Sequence, residues 1–380
     1  VCCRMFSKQL NKSWCLKILK FLFVILIIFM GNMNTKLTAL SSGGGCGCKV
    51  SPEILSDILG KIKNVNPPPQ LLVGNNTADD GAVYQIDDKR ALVSTTDFFT
   101  PIVDDPEHFG AIAAANAISD IYAMGAKPIF ALVICGMPLN RLSSDTVVKI
   151  LEGGSRICSE AGITIAGGHT INISEPIYGL VVNGIVNLSN LKKNSTTSVG
   201  NKLILGKPLG IGIYSAALKK GLLSTLQYNL LVDSTTKLNS IGTDFGKLKF
   251  VNAMTDITGF GLLGHLDEMA RSSNTTIKVN SNKILSYPGI NNLIEKGCIT
   301  GASERNLQAL ASEVLFADSV SKVDKFLLTD PQTSGGLLVS VESNRANVIL
   351  DMFKNQDYEA SIVGEVIEEN PKYRILVVNE

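Results

Sequence analysis

The chain has 380 residues, of which 45% are hydrophobic and 18% are charged, and this composition predicts a globular protein with room for two domains. Its formal net charge of +1 gives no electrostatic argument for nucleic-acid binding, and no cluster of lysine or arginine with interleaved aromatic residues occurs. Eight scattered cysteines favour a reducing compartment, and we expect the cytoplasm, over a disulfide framework.

Residues 1–32 differ from the rest of the chain, because lysines there precede an uncharged apolar run, residues 21–30. The run resembles the apolar core of a signal sequence, but it is short for a membrane span and no small-residue cleavage site follows it. Two interpretations stay open: a signal or anchor segment, and a gene model extended upstream of a true start at Met33. We favour the second, so we expect no membrane association and a non-globular extension that packs against neither domain.

Beyond Met33, short apolar runs alternate with helix-like stretches rich in small residues, which is typical of an α/β protein. The first half is predicted to contain strands at residues 91–94, 129–134 and 178–186, and helices at residues 108–124 and 145–161. Asn116 and Asp120 are four residues apart in the first helix, so they are expected to share one helix face.

The polar segment 187–200 is the predicted domain boundary. We therefore assign residues 33–195 to an N-terminal ATP-binding or catalytic domain and residues 196–380 to a C-terminal α/β domain. The second half is predicted to contain a strand from Lys202, further strands at 275–279, 336–341 and 374–378, and helices at 210–220 and 261–271.

The segment 42–50, SGGGCGCKV, carries two thiols and an ammonium group among four glycines. Glycine costs much entropy to order and permits positive φ, so such a segment is kept where the chain must flex or approach a ligand. We predict a mobile reactive loop in which Lys49 lowers the pKa of a neighbouring thiol and holds an anion. Zinc is not expected, because C-x-C cannot supply a whole site and no second pair follows. A flexible linker with incidental cysteines is the alternative.

Aspartates occur at four sites among apolar or small neighbours, with no lysine or arginine beside them in sequence. Any one alone is more often a helix cap, a turn residue or a solvated side chain. Together they indicate Mg²⁺, because buried carboxylates require a compensating cation and Mg²⁺ is usually held by few carboxylates plus substrate phosphates. The four sites are Asp79-Asp80 in TADDGAVY, Asp97 in STTDFF, Asp120 in NAISDIYAMGAKP and Asp256 in AMTDITGFGLLGH.

Two glycine clusters are candidate phosphate contacts. Gly167-Gly168-His169-Thr170 follows an apolar run, and Gly259-Phe260-Gly261 is predicted to open a helix whose N-terminal amides would meet phosphate. Neither matches the P-loop or the dinucleotide-binding fingerprint, so both of those classes are excluded by motif. The segment 330–336, DPQTSGG, is predicted to be a turn, with any phosphate role secondary.

From about Leu37 to the C-terminus the chain resembles the selenophosphate synthetase (selenide, water dikinase) family. The matching motifs are LTALSSGGGCGCKVSP, LLVGNNTADDGAVY, STTDFFTPIVDDP, NAISDIYAMGAKPI, IAGGHT, KPLGIG, AMTDITGFGLLGH and DPQTSGGLL. The first is particular to this family, and the others recur across the superfamily that includes aminoimidazole ribonucleotide synthetase. The resemblance implies two α/β (α+β) domains, with the N-terminal domain paired in a homodimer and nucleotide sites near the interface.

The resemblance also implies that ATP, hydrogen selenide and water give selenophosphate, AMP and phosphate, with Mg²⁺ as cofactor. Cys46 would handle selenium or activate its delivery, Lys49 would meet the polyphosphate, and a selenium-delivery protein is a possible partner. The positions matching Mg²⁺ ligands are Asp80, Asp120 and Asp256. Those matching the nucleotide side are Lys49, Thr77, Ala78, Asp79, Asp97 and Asp120, with Gly168, His169 and Thr170 in a loop offered by the partner subunit.

Ser42 departs from the family pattern, which commonly has histidine before the glycine run. If that histidine assists selenide deprotonation or loop closure, two outcomes stay open: its absence reduces activity, or Cys46 needs no such partner. Two alternatives to a selenide-using enzyme stay open: a relative acting on an amide or thiamine phosphate, which has no reason to keep GCGCK, and a catalytically silent nucleotide-binding or selenium-carrier protein.

Overall fold

The computed structural model describes residues 36–41, 43–50, 54–55, 57–58, 61, 67–74 and 79–380. The predictions made for residues 1–32, Ser42, Thr77 and Ala78 lie outside these residues. Within the described part of the chain, no helix combines the length and the apolar character needed to cross a bilayer.

The first domain is a six-stranded sheet covered by two helices. Its strands are β1 (Leu71–Val73), β2 (Ala82–Gln85), β3 (Arg90–Phe99), β4 (Lys127–Met137), β5 (Ile165–Asn172) and β6 (Ile177–Asn187), in the order β1-β2-β3-β6-β4-β5. Helix α1 (Pro106–Ala123) lies against this sheet, and α2 (Ser144–Glu160) packs on α1. The side chain of Asp105 caps α1 and that of Ser143 caps α2, each by accepting a hydrogen bond from a backbone N–H. Because α1 is apolar on nearly all sides, burial between sheet and helix stabilises it.

Helices α1 and α2 approach each other closely at two glycines. A Cβ added to Gly110 would lie 1.8 Å from the carbonyl oxygen of Ile150, and one added to Gly153 would lie 2.0 Å from that of Glu107. Both contacts involve backbone atoms, which cannot rotate away as a side chain can. Only glycine therefore permits this spacing of the two helices.

We expect Gly153→Ala to destabilise the protein by about 1–2 kcal/mol. Overpacking a core costs about 1–3 kcal/mol, whereas the better helix propensity of alanine returns at most about 1 kcal/mol. Urea unfolding of the variant measures the difference. Glu152→Ala, at an exposed neighbour on the same helix, is the control and should change stability by no more than about 0.5 kcal/mol. A Gly153→Ala protein more stable than wild type would show that the helices separate without cost.

The second domain is a seven-stranded mixed sheet with helices around it. Its strands are β7 (Lys202–Leu205), β8 (Val251–Asp256), β9 (Thr276–Asn280), β10 (Val314–Phe316), β11 (Leu337–Val341), β12 (Ser361–Ile367) and β13 (Ile375–Val378), in the order β10-β13-β9-β12-β7-β11-β8. Its helices are α3 (Ile211–Lys219), α4 (Thr225–Thr236), α5 (Gly242–Gly246), α6 (Gly261–Ser273), α7 (Ile290–Glu295), α8 (Gly301–Ala309), α9 (Lys322–Leu328) and α10 (Ala346–Lys354). The predicted fold of two α/β domains is confirmed, and each strand and helix named in the sequence analysis is present with its ends moved by a few residues.

One local prediction is wrong, because Gly168, His169 and Thr170 lie inside a strand, β5, rather than in a loop. This strand forms an edge of the first sheet, and it pairs in parallel with β4, Gly168 opposite Val133 and His169 opposite Ile134. The glycine serves this pairing: φ at Gly168 is +154°, and a Cβ there would lie 2.3 Å from the carbonyl oxygen of Val133.

Candidate active site

Three carboxylates converge where the two domains meet. Asp80 precedes β2, Asp120 lies on α1 and Asp256 ends β8, and one oxygen from each lies within 4.8 Å of the others. Thr255 donates a hydrogen bond to Asp80 at 2.7 Å, while Ser119 donates to Asp256. The second carboxylate oxygen of Asp80 is buried and has no hydrogen-bond partner among the described residues. We call these three residues the carboxylate cluster.

The carboxylate cluster is electrostatically strained without a cation. Burial raises the pKa of all three carboxyl groups, and the charge of Asp256 raises those of Asp80 and Asp120 further. The hydrogen bonds from Thr95 to Asp120 and from Ser119 to Asp256 act in the opposite direction but do not outweigh burial. Desolvated carboxylates crowded together require protons or a positive ion, and an all-oxygen set suits a hard divalent cation.

Cys46 lies beside the carboxylate cluster in a short 3₁₀ turn, Gly45–Cys48, and is fully buried. Its thiol donates a hydrogen bond to Oδ1 of Asn116 at 3.2 Å, and its backbone N–H donates to Oγ1 of Thr333 at 3.1 Å. The side-chain amide of Asn116 in turn donates to Asp97. Two distant segments therefore hold the thiol in place.

We expected Lys49 to lower the pKa of a neighbouring thiol. For Cys46 the net shift is in the opposite direction. Burial raises the pKa of the Cys46 thiol well above its ordinary value, and the charge of Asp97 raises it further. Lys49 does lower this pKa, but by less than burial raises it. The thiol is thus protonated at neutral pH in this arrangement. Cys48, by contrast, is exposed, and its thiol donates to the carbonyl oxygen of Gly45 at 3.0 Å.

Lys49 remains a cation beside Asp97, with 3.6 Å between its Nζ and Oδ2 of Asp97. Burial alone would lower the pKa of Lys49, but the nearby negative charges, Asp97 foremost, hold it above its ordinary value. Asp97 thus contacts both Lys49 and Asn116, the residue that holds the Cys46 thiol. A positive charge and a thiol are in this way fixed next to the carboxylate cluster.

Several residues shape this site through contacts that the sequence did not predict. The segment 330–336 is irregular and buried. Thr333 accepts the hydrogen bond from the backbone N–H of Cys46 in the turn Gly45–Cys48, and the backbone N–H of Ser334 donates to Asn116 on α1 at 2.7 Å. Lys207 braces this segment by donating to the carbonyl oxygen of Ser334 at 2.9 Å, and burial lowers its pKa to about 7. The only sequence signal for these contacts was the motif DPQTSGG itself, which is polar and typical of a turn.

The remaining predicted residues are only partly brought together. Asp79 adjoins the carboxylate cluster in sequence, and its carboxylate accepts a hydrogen bond from the backbone N–H of Asn194 at 2.8 Å. Strands β6 and β4 separate His169, on β5, from Asp97 on β3. At normal strand spacing this is about 14 Å, so His169 does not contact Asp97 within one chain.

Known proteins resemble this chain over most of its length. Residues 78–186 match the family of the AIR synthase related protein, N-terminal domain, and residues 198–376 match the AIR synthase related protein, C-terminal domain. The chain is 53% identical to the selenide, water dikinase of Pseudomonas straminea, covering 89% of this chain and 95% of that protein. It is 50% identical to the selenide, water dikinase of Dechloromonas aromatica, covering 90% of this chain and 99% of that protein.

Solved structures with the same fold are more distant in sequence. The thiamine-monophosphate kinase from Stenotrophomonas maltophilia matches with a TM-score of 0.60 at 17% identity, over 86% of this chain and 95% of that one. A second structure, described as AaThiL complexed with AMPPCP and TMP, matches with a TM-score of 0.58 at 19% identity, over 86% and 91%. These two likenesses establish the fold alone, whereas identity of about half over nine-tenths of the chain establishes that it belongs to the selenide, water dikinase family.

Proposed function

We propose that the chain makes selenophosphate from ATP, selenide and water, with release of AMP and phosphate, and so supplies activated selenium. The observation that carries this proposal is the juxtaposition of Cys46, Lys49 and the carboxylate cluster, in a chain about half identical to selenide, water dikinases. A relative acting on thiamine phosphate is disfavoured, because the likeness to thiamine-monophosphate kinase is only 17% identity and the GCGCK segment would have no use there.

The carboxylate cluster fits Mg²⁺. Three oxygens within 4.8 Å of one another, one buried carboxylate oxygen without a partner and three raised pKa values are what a hard cation would relieve. When bound, Mg²⁺ supplies positive charge to the phosphate oxygens of ATP. Asp80, Asp120 and Asp256 would hold it.

The chain's own residues then have distinct tasks. Lys49 presents its ammonium group to the polyphosphate, where charge develops during phosphoryl transfer, and Asp97 orients it at 3.6 Å. Asn116 holds the Cys46 thiol, whose sulfur handles selenium. Burial of Cys46 keeps water from the oxidisable selenide. Thr77, Ala78, Asp79, Asp97 and Asp120 are assigned to the nucleotide side.

We assign the reaction to the cytoplasm, where ATP and reducing conditions coincide. The five cysteines that the structure describes are all free thiols, which accords with such a compartment. Free selenide is reactive and scarce, so a selenium-delivery protein is a reasonable partner, and nucleic acid is not.

A homodimer would supply the missing nucleotide contacts. The face of the first sheet turned away from α1 exposes apolar side chains on several strands, including Tyr84 at 44%, Phe98 at 46% and Ile171 at 48%. Exposed apolar surface of this kind marks an interaction site, and β5 is an unpaired edge. Across such an interface, Gly168, His169 and Thr170 are assigned to the nucleotide side of the partner's site.

Ile171→Asp is therefore expected to weaken the dimer by at least roughly tenfold, because a buried unpaired carboxylate costs several kcal/mol. Sedimentation equilibrium measures the dissociation constant. Leu226→Asp, at an exposed apolar residue on α4, is the control and should leave the association unchanged. An unaltered dimer in the Ile171→Asp protein would place the interface elsewhere.

Phosphorus NMR of ATP with the purified protein, Mg²⁺ and selenide tests the function directly. We expect selenophosphate, AMP and orthophosphate to appear together, and ATP to persist when selenide is omitted. ATP turnover that ignores selenide would indicate another ATP-using member of the superfamily. No turnover at all would indicate a silent nucleotide-binding or carrier protein.

A further inference from the structure

A cavity adjoins the glycine turn, residues 43–48, and none of the carboxylate cluster lines it. It has a volume of about 350 Å³ and is bounded by Gly43, Gly44 and Gly47 on one side. Residues of α3 and α8 form the other side, among them Lys219 and Arg305. We call this space the basic cavity.

The charge lining the basic cavity is entirely positive. Lys219, Lys220 and Arg305 border it, and no aspartate or glutamate does. Their side chains donate to backbone carbonyls: Lys219 to Gly43 at 2.6 Å and Arg305 to Gly47 at 3.2 Å. Among the described residues, none of these three cations lies within 4.0 Å of a carboxylate. Carbonyl oxygens orient these cations but do not neutralise them.

A cavity of similar size within the second domain shows how an ordinary arrangement differs. It measures about 370 Å³ and places Arg271 and Arg374 among three carboxylates, Asp267, Glu268 and Glu313. There Arg374 is 2.6 Å from Asp267 and 2.7 Å from Glu313, so its charge is compensated. In the basic cavity no carboxylate belongs to the lining, although the charges of Asp104 and Glu175 act on Lys219 from outside it. A lining of one sign of charge is the electrostatic character of an anion site.

The basic cavity reaches the immediate surroundings of Cys46. Thr333 lines it and also accepts the hydrogen bond from the backbone N–H of Cys46 at 3.1 Å. Gly47, the next residue, lines it as well. Lys219 and Arg305 bind the carbonyl oxygens of Gly43 and Gly47, on either side of Cys46 in sequence. One layer of backbone therefore separates the thiol from this positive space.

We propose that the basic cavity receives selenide, as the hydrogen selenide anion, before selenium meets Cys46. The inference rests on the proposed function and assigns it a route: ATP occupies the carboxylate side and selenide arrives from the lysine and arginine side. With ATP on the carboxylate side, a second anion arriving there would be repelled by the polyphosphate, whereas Lys219 and Arg305 attract it. The volume holds such an ion with several waters, each of which needs about 30 Å³.

Steady-state kinetics under anaerobic conditions test the route. In the double variant Lys219→Gln and Arg305→Gln, we expect KM for selenide to rise about tenfold or more, since a cleft lined by one sign of charge concentrates its ligand by 10-fold or more. We expect kcat and KM for ATP to stay within about twofold, because neither residue touches the carboxylate cluster. The charge-keeping pair Lys219→Arg and Arg305→Lys should retain the low KM for selenide. Arg271→Gln, in the compensated cavity, is the control for loss of one positive charge.

Three kinetic outcomes would overturn the proposal. If kcat falls while KM for selenide is unchanged, or if both KM values rise together, the two cations only brace the glycine turn. If the charge-keeping pair behaves like the glutamine pair, hydrogen-bond geometry rather than charge is what matters.

Anomalous diffraction separates this inference from the proposed function. Crystals soaked in bromide should show a peak beside Lys219 and Arg305 in wild type and none in the double variant, whether or not the protein uses selenide. No peak in wild type would refute the anion site, and a peak with unchanged selenide kinetics would mean an adventitious ion only. A wild-type protein that binds bromide there but makes no selenophosphate would refute the function and, with it, selenide as the occupant.

Discussion

Cys46→Ser is expected to reduce selenide-dependent formation of selenophosphate by at least about a thousandfold, the scale seen when a reacting side chain is removed. The hydroxyl of serine can still donate to Asn116, as the thiol does at 3.2 Å, so the buried turn should keep its structure. Serine lacks the soft sulfur atom that, in the proposed function, handles selenium. ATP affinity should stay within about twofold, because Lys49 and the carboxylate cluster are unchanged. Phosphorus NMR measures the product, and isothermal titration measures ATP binding.

Cys48→Ser is the matched control for this prediction. Its thiol is exposed and contacts only the carbonyl oxygen of Gly45 among the hydrogen-bonding groups described, at 3.0 Å. We therefore expect a much smaller loss of activity than at Cys46. If Cys46→Ser lost ATP affinity in proportion to activity, Cys46 would be a structural residue that holds the turn against Asn116 and Thr333.

Local patterns predicted the elements of this fold but only part of the site. Apolar runs of strand length and an alanine-rich helical stretch correctly located β3, β4, β6 and α1, because burial of both sheet and helix leaves a signal within a few residues. The aspartates were also recognised locally, because they stand among apolar or small residues with no lysine or arginine beside them in sequence. Their approach to within 4.8 Å of one another required the two domains to come together, which no local pattern records.

The parts that sequence reasoning missed depend on long-range contacts and on burial. Thr333 is 287 residues from Cys46, and Asn116 is 70 residues from it, so neither contact leaves a mark near the cysteine. The net shift of the Cys46 pKa was predicted with the wrong sign. Lys49, three residues away, is visible in the sequence, whereas the desolvation that raises this pKa is visible only in the folded chain. Gly168 was predicted to lie in a loop, where glycine is common. Glycine is also preferred where a strand approaches its neighbour closely, and that is its position here.

Replacing Asp80, Asp120 or Asp256 with asparagine is expected to weaken Mg²⁺-dependent ATP binding by at least about tenfold for each residue, since each change removes a charge facing a divalent ion. Thermal unfolding adds a readout independent of activity. Without Mg²⁺ each variant should be at least as stable as wild type, because one member of a mutually repelling, desolvated set has become neutral.

Addition of Mg²⁺ should reverse that order of stability. A ligand that binds only the folded state stabilises it by RT ln(1 + [L]/Kd), so wild type should gain stability and the weakly binding variants little. Asp351→Asn, at an exposed aspartate on α10, is the control and should respond to Mg²⁺ as wild type does. The repulsion among the three carboxylates costs the folded protein stability unless a cation or bound protons relieve it. Equal Mg²⁺ stabilisation of wild type and all three variants would therefore mean that the ion binds elsewhere and that the cluster is held by protons instead.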